Sequence, residues 1–152
     1  NVGTEVLGFT YAIIQGLSIF FYLMVPRISS MWGAVNSLMR IRLLSSFLIV
    51  AVPLLPDFVL AAAFFTAFRI SVITTFPIRQ SLITEIVDLG ELSTAIGLSN
   101  LSMMASQAAA PVVGGYLIES LSMALPFVGS GGLIALDGIL YYVFFRGHKP
   151  ST

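Results

Sequence analysis

Residues 58–76 read FVLAAAFFTAFRISVITTF, an apolar run broken by one charge, Arg69, near its middle. A helix on a soluble protein keeps a polar face, and this stretch has none, so its sequence suits hydrocarbon rather than water. A bilayer core about 30 Å thick takes roughly 20 residues at 1.5 Å rise, which is close to the length of this run. Asp57 bounds it on one side, and Arg79 follows it on the other.

Working outward, four further runs of that kind emerge, at 6–25, 34–55, 92–118 and 123–145. The expected fold is all-α, a polytopic membrane bundle of about five transmembrane helices forming a single domain over residues 1–152. The run at 34–55 is the least regular, because Arg40 and Arg42 intrude; their side chains can snorkel to the headgroups from a helix end. Pro53 and Pro56 close that run. Composition agrees with this reading. Of 152 residues, 57% are hydrophobic and 9% charged, with a mean hydropathy of +0.99, whereas soluble proteins carry about a quarter of charged residues.

Seven cations balance seven anions, so no global field attracts nucleic acid. The absence of cysteine removes disulfides, thiolate metal sites and cysteine nucleophiles. His148 reads as a solvated residue near the C-terminus. There is no phosphate loop, dinucleotide fingerprint, HExxH helix or GxSxG elbow, so neither an enzyme nor a bound cofactor or metal is expected.

Basic residues are retained on the cytoplasmic side of a membrane. Arg27, Arg40 and Arg42 follow the first run, Arg79 the third, and Arg146 with Lys149 the fifth, while the alternate connections hold Glu5, Asp57 and Glu119. Five spans in the plasma (inner) membrane, with the N-terminus outside and the C-terminus cytoplasmic, satisfy that pattern, and an even number would break it. The chain starts at Asn1 without a methionine, which is expected of a piece of a longer protein.

Polar residues within hydrocarbon need a partner or a wet cavity, so they are where function is sought. Arg69 lies 12 residues past Asp57, roughly 18 Å into its span, and Asp137 lies 11 residues past Pro126, roughly 16 Å from the same face. Their shared depth suggests an ion pair or a coupling pair. An unpaired arginine at that depth costs about 2.5–3.5 kcal/mol on insertion scales, which either Asp137 or an anionic solute would relieve. Gly8, Tyr11, Gln15, Ser18 and Tyr22 form one stripe of the first helix, and Gly97, Asn100, Met104, Gln107, Pro111 and Gly114 form one stripe of the fourth. Two such stripes suggest a common wet surface, with Tyr11, Gln15, Asn100 and Gln107 joining Arg69 as substrate-binding candidates. Interhelical hydrogen bonding and close packing of small residues explain the same stripes without a cavity. The cluster Gly129, Ser130, Gly131 and Gly132 in the fifth run reads as a close-packing point.

The order of these features resembles the C-terminal half of a major facilitator superfamily transporter, with the five spans similar to helices eight to twelve. Arg27 to Gly33, RISSMWG, resembles the loop between helices eight and nine, with Ser30 and Met31 at its acidic and basic positions. Arg79, Gln80, Glu85, Asp88, Glu91 and Thr94 to Gly97 are similar to the connection between helices ten and eleven. Ala110, Pro111, Gly114 and Gly115 resemble the family's GPxxGG element, with alanine at its first glycine. The resemblance implies a secondary active transporter moving a small solute by alternating access, with Arg69 lining the cavity, Asp137 peripheral, and an N-terminal helical bundle of the same protein as partner. Arg69 hints at an anionic solute. The alternative from another class is a non-transporting membrane subunit or assembly scaffold, in which the stripes are helix contacts.

Overall fold

The computed structural model describes residues 4–147, and every regular element among them is helical. The chain runs α1 (Thr4–Trp32), α2 (Ala34–Ala51), a single 3₁₀ turn (Val52–Leu54), α3 (Phe58–Ile86), α4 (Leu92–Ser120) and α5 (Leu125–Phe145). Among the described residues, four helices are long and apolar enough to cross a membrane: Ala34–Leu54, Phe58–Ile86, Leu92–Ser120 and Leu125–Phe145. In α1 the apolar stretch measured on described side chains is the shorter Ala12–Val25.

Helix α2 is the axis of the bundle, packed against α3 on one side and α5 on another, while α1 lies chiefly along α3. Two glycines set the approach of α5. A Cβ on Gly131 would collide with the Val50 side chain, and one on Gly138 would stand 2.8 Å from Arg42 Cβ. The two glycines are seven residues apart, two helical turns, so they lie on one face and let the backbones approach closely. Ser46 Oγ crosses this seam and donates to the Gly131 carbonyl at 2.7 Å. Gly131 is the packing residue of the glycine cluster; Gly129 and Gly132 face open space.

At one end of the bundle Val25, Leu38, Ile78 and Leu82 form a buried cluster, joined by Ala34, Val35, Ile41, Tyr141 and Phe145. That cluster brings together the α1–α2 junction, the last turns of α3 and the end of α5. Elsewhere the surface is apolar: Phe9, Leu23, Phe47, Val112 and Phe144 are only a few of its exposed large side chains. So much contiguous apolar surface is what lipid, not water, accommodates.

Most buried hydroxyls need no cavity, because they bond to their own helix. Ser18 donates to the Ile14 carbonyl, Ser45 to that of Ile41 and Thr74 to that of Ile70, at 2.6, 2.7 and 2.8 Å.

Three expected boundaries shift. RISSMWG is not a loop: α1 continues to Trp32, and the break falls at Gly33, whose φ of 76° is the one positive value among the described residues. Glycine has no Cβ to oppose that conformation. Helix α3 does not stop at Phe76 but passes through Pro77 to Ile86. Proline forfeits one backbone hydrogen bond, whereas burial of Ile78 and Leu82 just beyond it holds the helix on course. The polar connection expected from Arg79 to Glu91 shrinks accordingly to the few residues after Ile86.

Candidate functional site

The middle of the bundle holds three charges, and their heights follow from helix rise. Arg42 lies eight residues beyond Ala34 and Asp137 nine before Arg146, so each is roughly 12–14 Å from the end carrying the buried cluster. Helices α2 and α5 run antiparallel through the glycine seam, and the two side chains meet: Arg42 Nε lies 3.0 Å from Asp137 Oδ2. This is a contact of opposite charges rather than an aligned hydrogen bond, since neither atom has a hydrogen-bond partner.

The expected Arg69–Asp137 pair is therefore replaced by Arg42–Asp137. Helix α2 packs extensively against both α3 and α5, which make few contacts with each other. Arg69 is nine residues above Ile78 and Arg42 only four above Leu38, so Arg69 rides roughly 7 Å higher along the bundle. Snorkelling describes Arg40 but not Arg42. Arg40 turns to the bundle end, its guanidinium 4.7 Å from the Trp32 ring centre, while Arg42 turns inward. The equal distances of Arg42 and Asp137 from one end were available in the sequence as a signal for that pair.

Arg69 is left over. It is half-buried, its Nε is enclosed without a hydrogen-bond partner, and it takes part in no ion pair among the described residues. Of the other binding candidates, Gln15 and Gln107 are exposed, and Asn100 is half-buried with an enclosed Oδ1 that no donor reaches. The side chain of Tyr11, like His148 and Lys149, lies outside the described residues. The structure joins none of Arg69, Gln15, Asn100 and Gln107 by a hydrogen bond. The α1 and α4 stripes do not form one wall: Ser18 is buried, whereas α4 has no buried residue and makes only limited contacts with α3 and α5.

Sequence reasoning placed Arg79 in a loop, but it lies within α3. Its guanidinium is 5.7 Å from the Phe76 ring centre, and Nη2 approaches Met103 Sδ of α4 at 4.0 Å. Among the described residues, no group of acids and histidines could hold a metal ion. Compared with family models, curated proteins and solved structures, the chain matches none.

Proposed function

We propose that this chain is part of an integral-membrane secondary transporter, in which Arg69 binds a small anionic solute near the middle of the bilayer. The observation that carries the reading is the contrast between two arginines at membrane depth. Among the described residues Arg42 meets Asp137, while Arg69 meets no acid. Keeping an uncompensated guanidinium there costs about 2.5–3.5 kcal/mol on insertion scales, a penalty that an anion arriving through a wet cavity removes. The exposed stripe of α4, with Gln107 and Pro111 on it, supports such a cavity against a second bundle.

In the same reading the end bearing Arg27, Arg40, Arg79 and Arg146 faces the cytoplasm, and the end bearing Asp57 and Glu119 faces outward. The test uses the full-length protein reconstituted in liposomes, with uptake measured across a panel of small carboxylates and phosphates. Arg69→Ala is expected to insert normally and to lose transport at least about a hundredfold, the scale of a 3 kcal/mol loss of anion binding. Undiminished transport would remove Arg69 from the site. A scaffold role is favoured instead if Arg69→Leu raises thermal stability and no solute moves.

A further inference from the structure

At the end of the bundle opposite Asp57, a cleft of about 830 Å³ opens between the α1–α2 junction, α3 and the end of α5. Its floor is apolar, made by Val25, Ile78, Leu82 and Phe145, and its mouth is polar and charged. Glu85 stands on the α3 side and Arg146 on the α5 side, and no ion pair joins them. Ser81 donates to Glu85 Oε1 at 3.4 Å, holding that carboxylate on the cleft side of α3. Asn36 spends its amide N–H on the Trp32 carbonyl at 3.1 Å, which leaves its Oδ1 as a second acceptor at the mouth.

Arg146 follows Leu125 by 21 residues, so it lies roughly 31 Å along α5, where a bilayer core of about 30 Å gives way to headgroups. A cavity at that depth with a greasy floor, an anion and an unpaired cation has the chemistry of a zwitterionic amphiphile. We propose that this cleft binds a phospholipid of the phosphatidylethanolamine type. The primary ammonium donates to Glu85 and Asn36 Oδ1, the phosphate meets Arg146, and the upper acyl chain lies along the half-buried Tyr142 and Phe145. A choline headgroup presents no N–H to either acceptor, so the site discriminates between the two zwitterions by hydrogen bonding, not by charge. The volume lies within the few-hundred to thousand Å³ range of small-molecule sites.

This inference rests on the bilayer reading but not on transport, and it is tested without a transport assay. The full chain is purified in detergent, and binding of phosphatidylethanolamine, phosphatidylcholine, phosphatidylglycerol and soluble phosphoethanolamine is followed by native mass spectrometry and thermal shift. The ethanolamine lipid is expected to bind about tenfold more tightly than the choline lipid, the worth of one charge-assisted hydrogen bond. Glu85→Gln, which keeps an acceptor but removes its charge, should cut that preference to about threefold or less, and Arg146→Gln should weaken both lipids about fivefold. Glu119→Gln, at the far end, should change neither. Equal binding of the two zwitterions by the unaltered chain overturns the proposal, as does a preference that Glu85→Gln leaves undiminished. Phosphoethanolamine binding as tightly as the lipid would make the occupant a free solute and overturn the lipid assignment. Glu85 and Arg146 are exposed, so both variants are expected to keep the lipid-free melting temperature, which the same scans record.

Discussion

Helices α2 and α4 have similar vocabularies and opposite fates. Each mixes serine and long polar side chains into an apolar run, yet α2 buries Ser37, Leu38, Ser45 and Ile49, whereas α4 buries nothing. The difference lies in what the neighbours offer. Gly131 and Gly138 of α5 give α2 a groove of matching depth, and Asp137 between them gives Arg42 a counter-charge. Helix α4 has Gly97, Gly114 and Gly115, each facing open space. Small residues promote packing only where a partner occupies the space they leave. The polar content of α2 is thus explained by helices inside this chain, and that of α4 calls for a surface beyond those α4 meets here.

The sharpest way to break this comparison is to fill the groove. Gly131→Leu would drive a side chain into Val50 and the Ser46 carbonyl and is expected to cost about 3 kcal/mol or more, at or above the upper end for overpacking. The measurement is thermal unfolding in detergent. Gly132→Leu, one residue away but facing open space, should cost less than about 1 kcal/mol through helix packing, since leucine is also the better helix former. Equal losses at the two positions would mean that the α2–α5 seam is not where the bundle is held.

Next in size is the ion pair. Removing one partner leaves the other charge without compensation, so Arg42→Leu and Asp137→Leu are each expected to destabilise. Buried pairs lose about 3–5 kcal/mol in that experiment. Asp137 is 44% exposed, which places this pair nearer the lower figure. The double variant should recover most of the loss, because leucines pack without desolvating charge. Additive losses in that cycle would show that the two residues act independently and would return Asp137 to Arg69 as a candidate partner.

Much of the fold was legible in the sequence, for a physical reason. Hydrocarbon requires every backbone polar group to be satisfied within its own segment, so long apolar runs such as 58–76 and 92–118 become helices whatever surrounds them. The run judged least regular, 34–55, is the best packed. Ser45 and Arg42 dilute its hydropathy, and those residues are there because the helix meets other helices instead of lipid. The run 58–76 falls short of the end of α3 because hydropathy registers the charge at Arg79 but not the burial of Ile78 and Leu82, which carries the helix on to Ile86. The site was legible only in part. Depth along a helix follows from counting, which places Arg69 and Asp137 well inside their helices, but rotation and neighbourhood do not, so counting alone does not single out Arg42 as the partner of Asp137.

The smallest expected effect concerns α4, and it sharpens the comparison where stability measurements cannot. Substitutions on a helix with no buried residue should move the melting temperature little, within about 0.5 kcal/mol. Accessibility is the more telling observable, read in a background from which any cysteine outside these 152 residues, which themselves hold none, has been removed. Single cysteines at Ser45, Gln107 and Val112 in the full-length protein sample the α2 core, the polar stripe of α4 and its opposite face. A hydrophilic thiol reagent needs the thiolate, which forms in water and not in an apolar interior. Ser45→Cys and Val112→Cys should therefore react at least about tenfold more slowly than Gln107→Cys if the stripe faces a wet cavity. Lipid or a dry helix contact over the stripe would protect all three alike. That outcome would leave α4 as a packing helix whose partner lies elsewhere, and it would withdraw the support that its stripe gives to Arg69 as a transport residue.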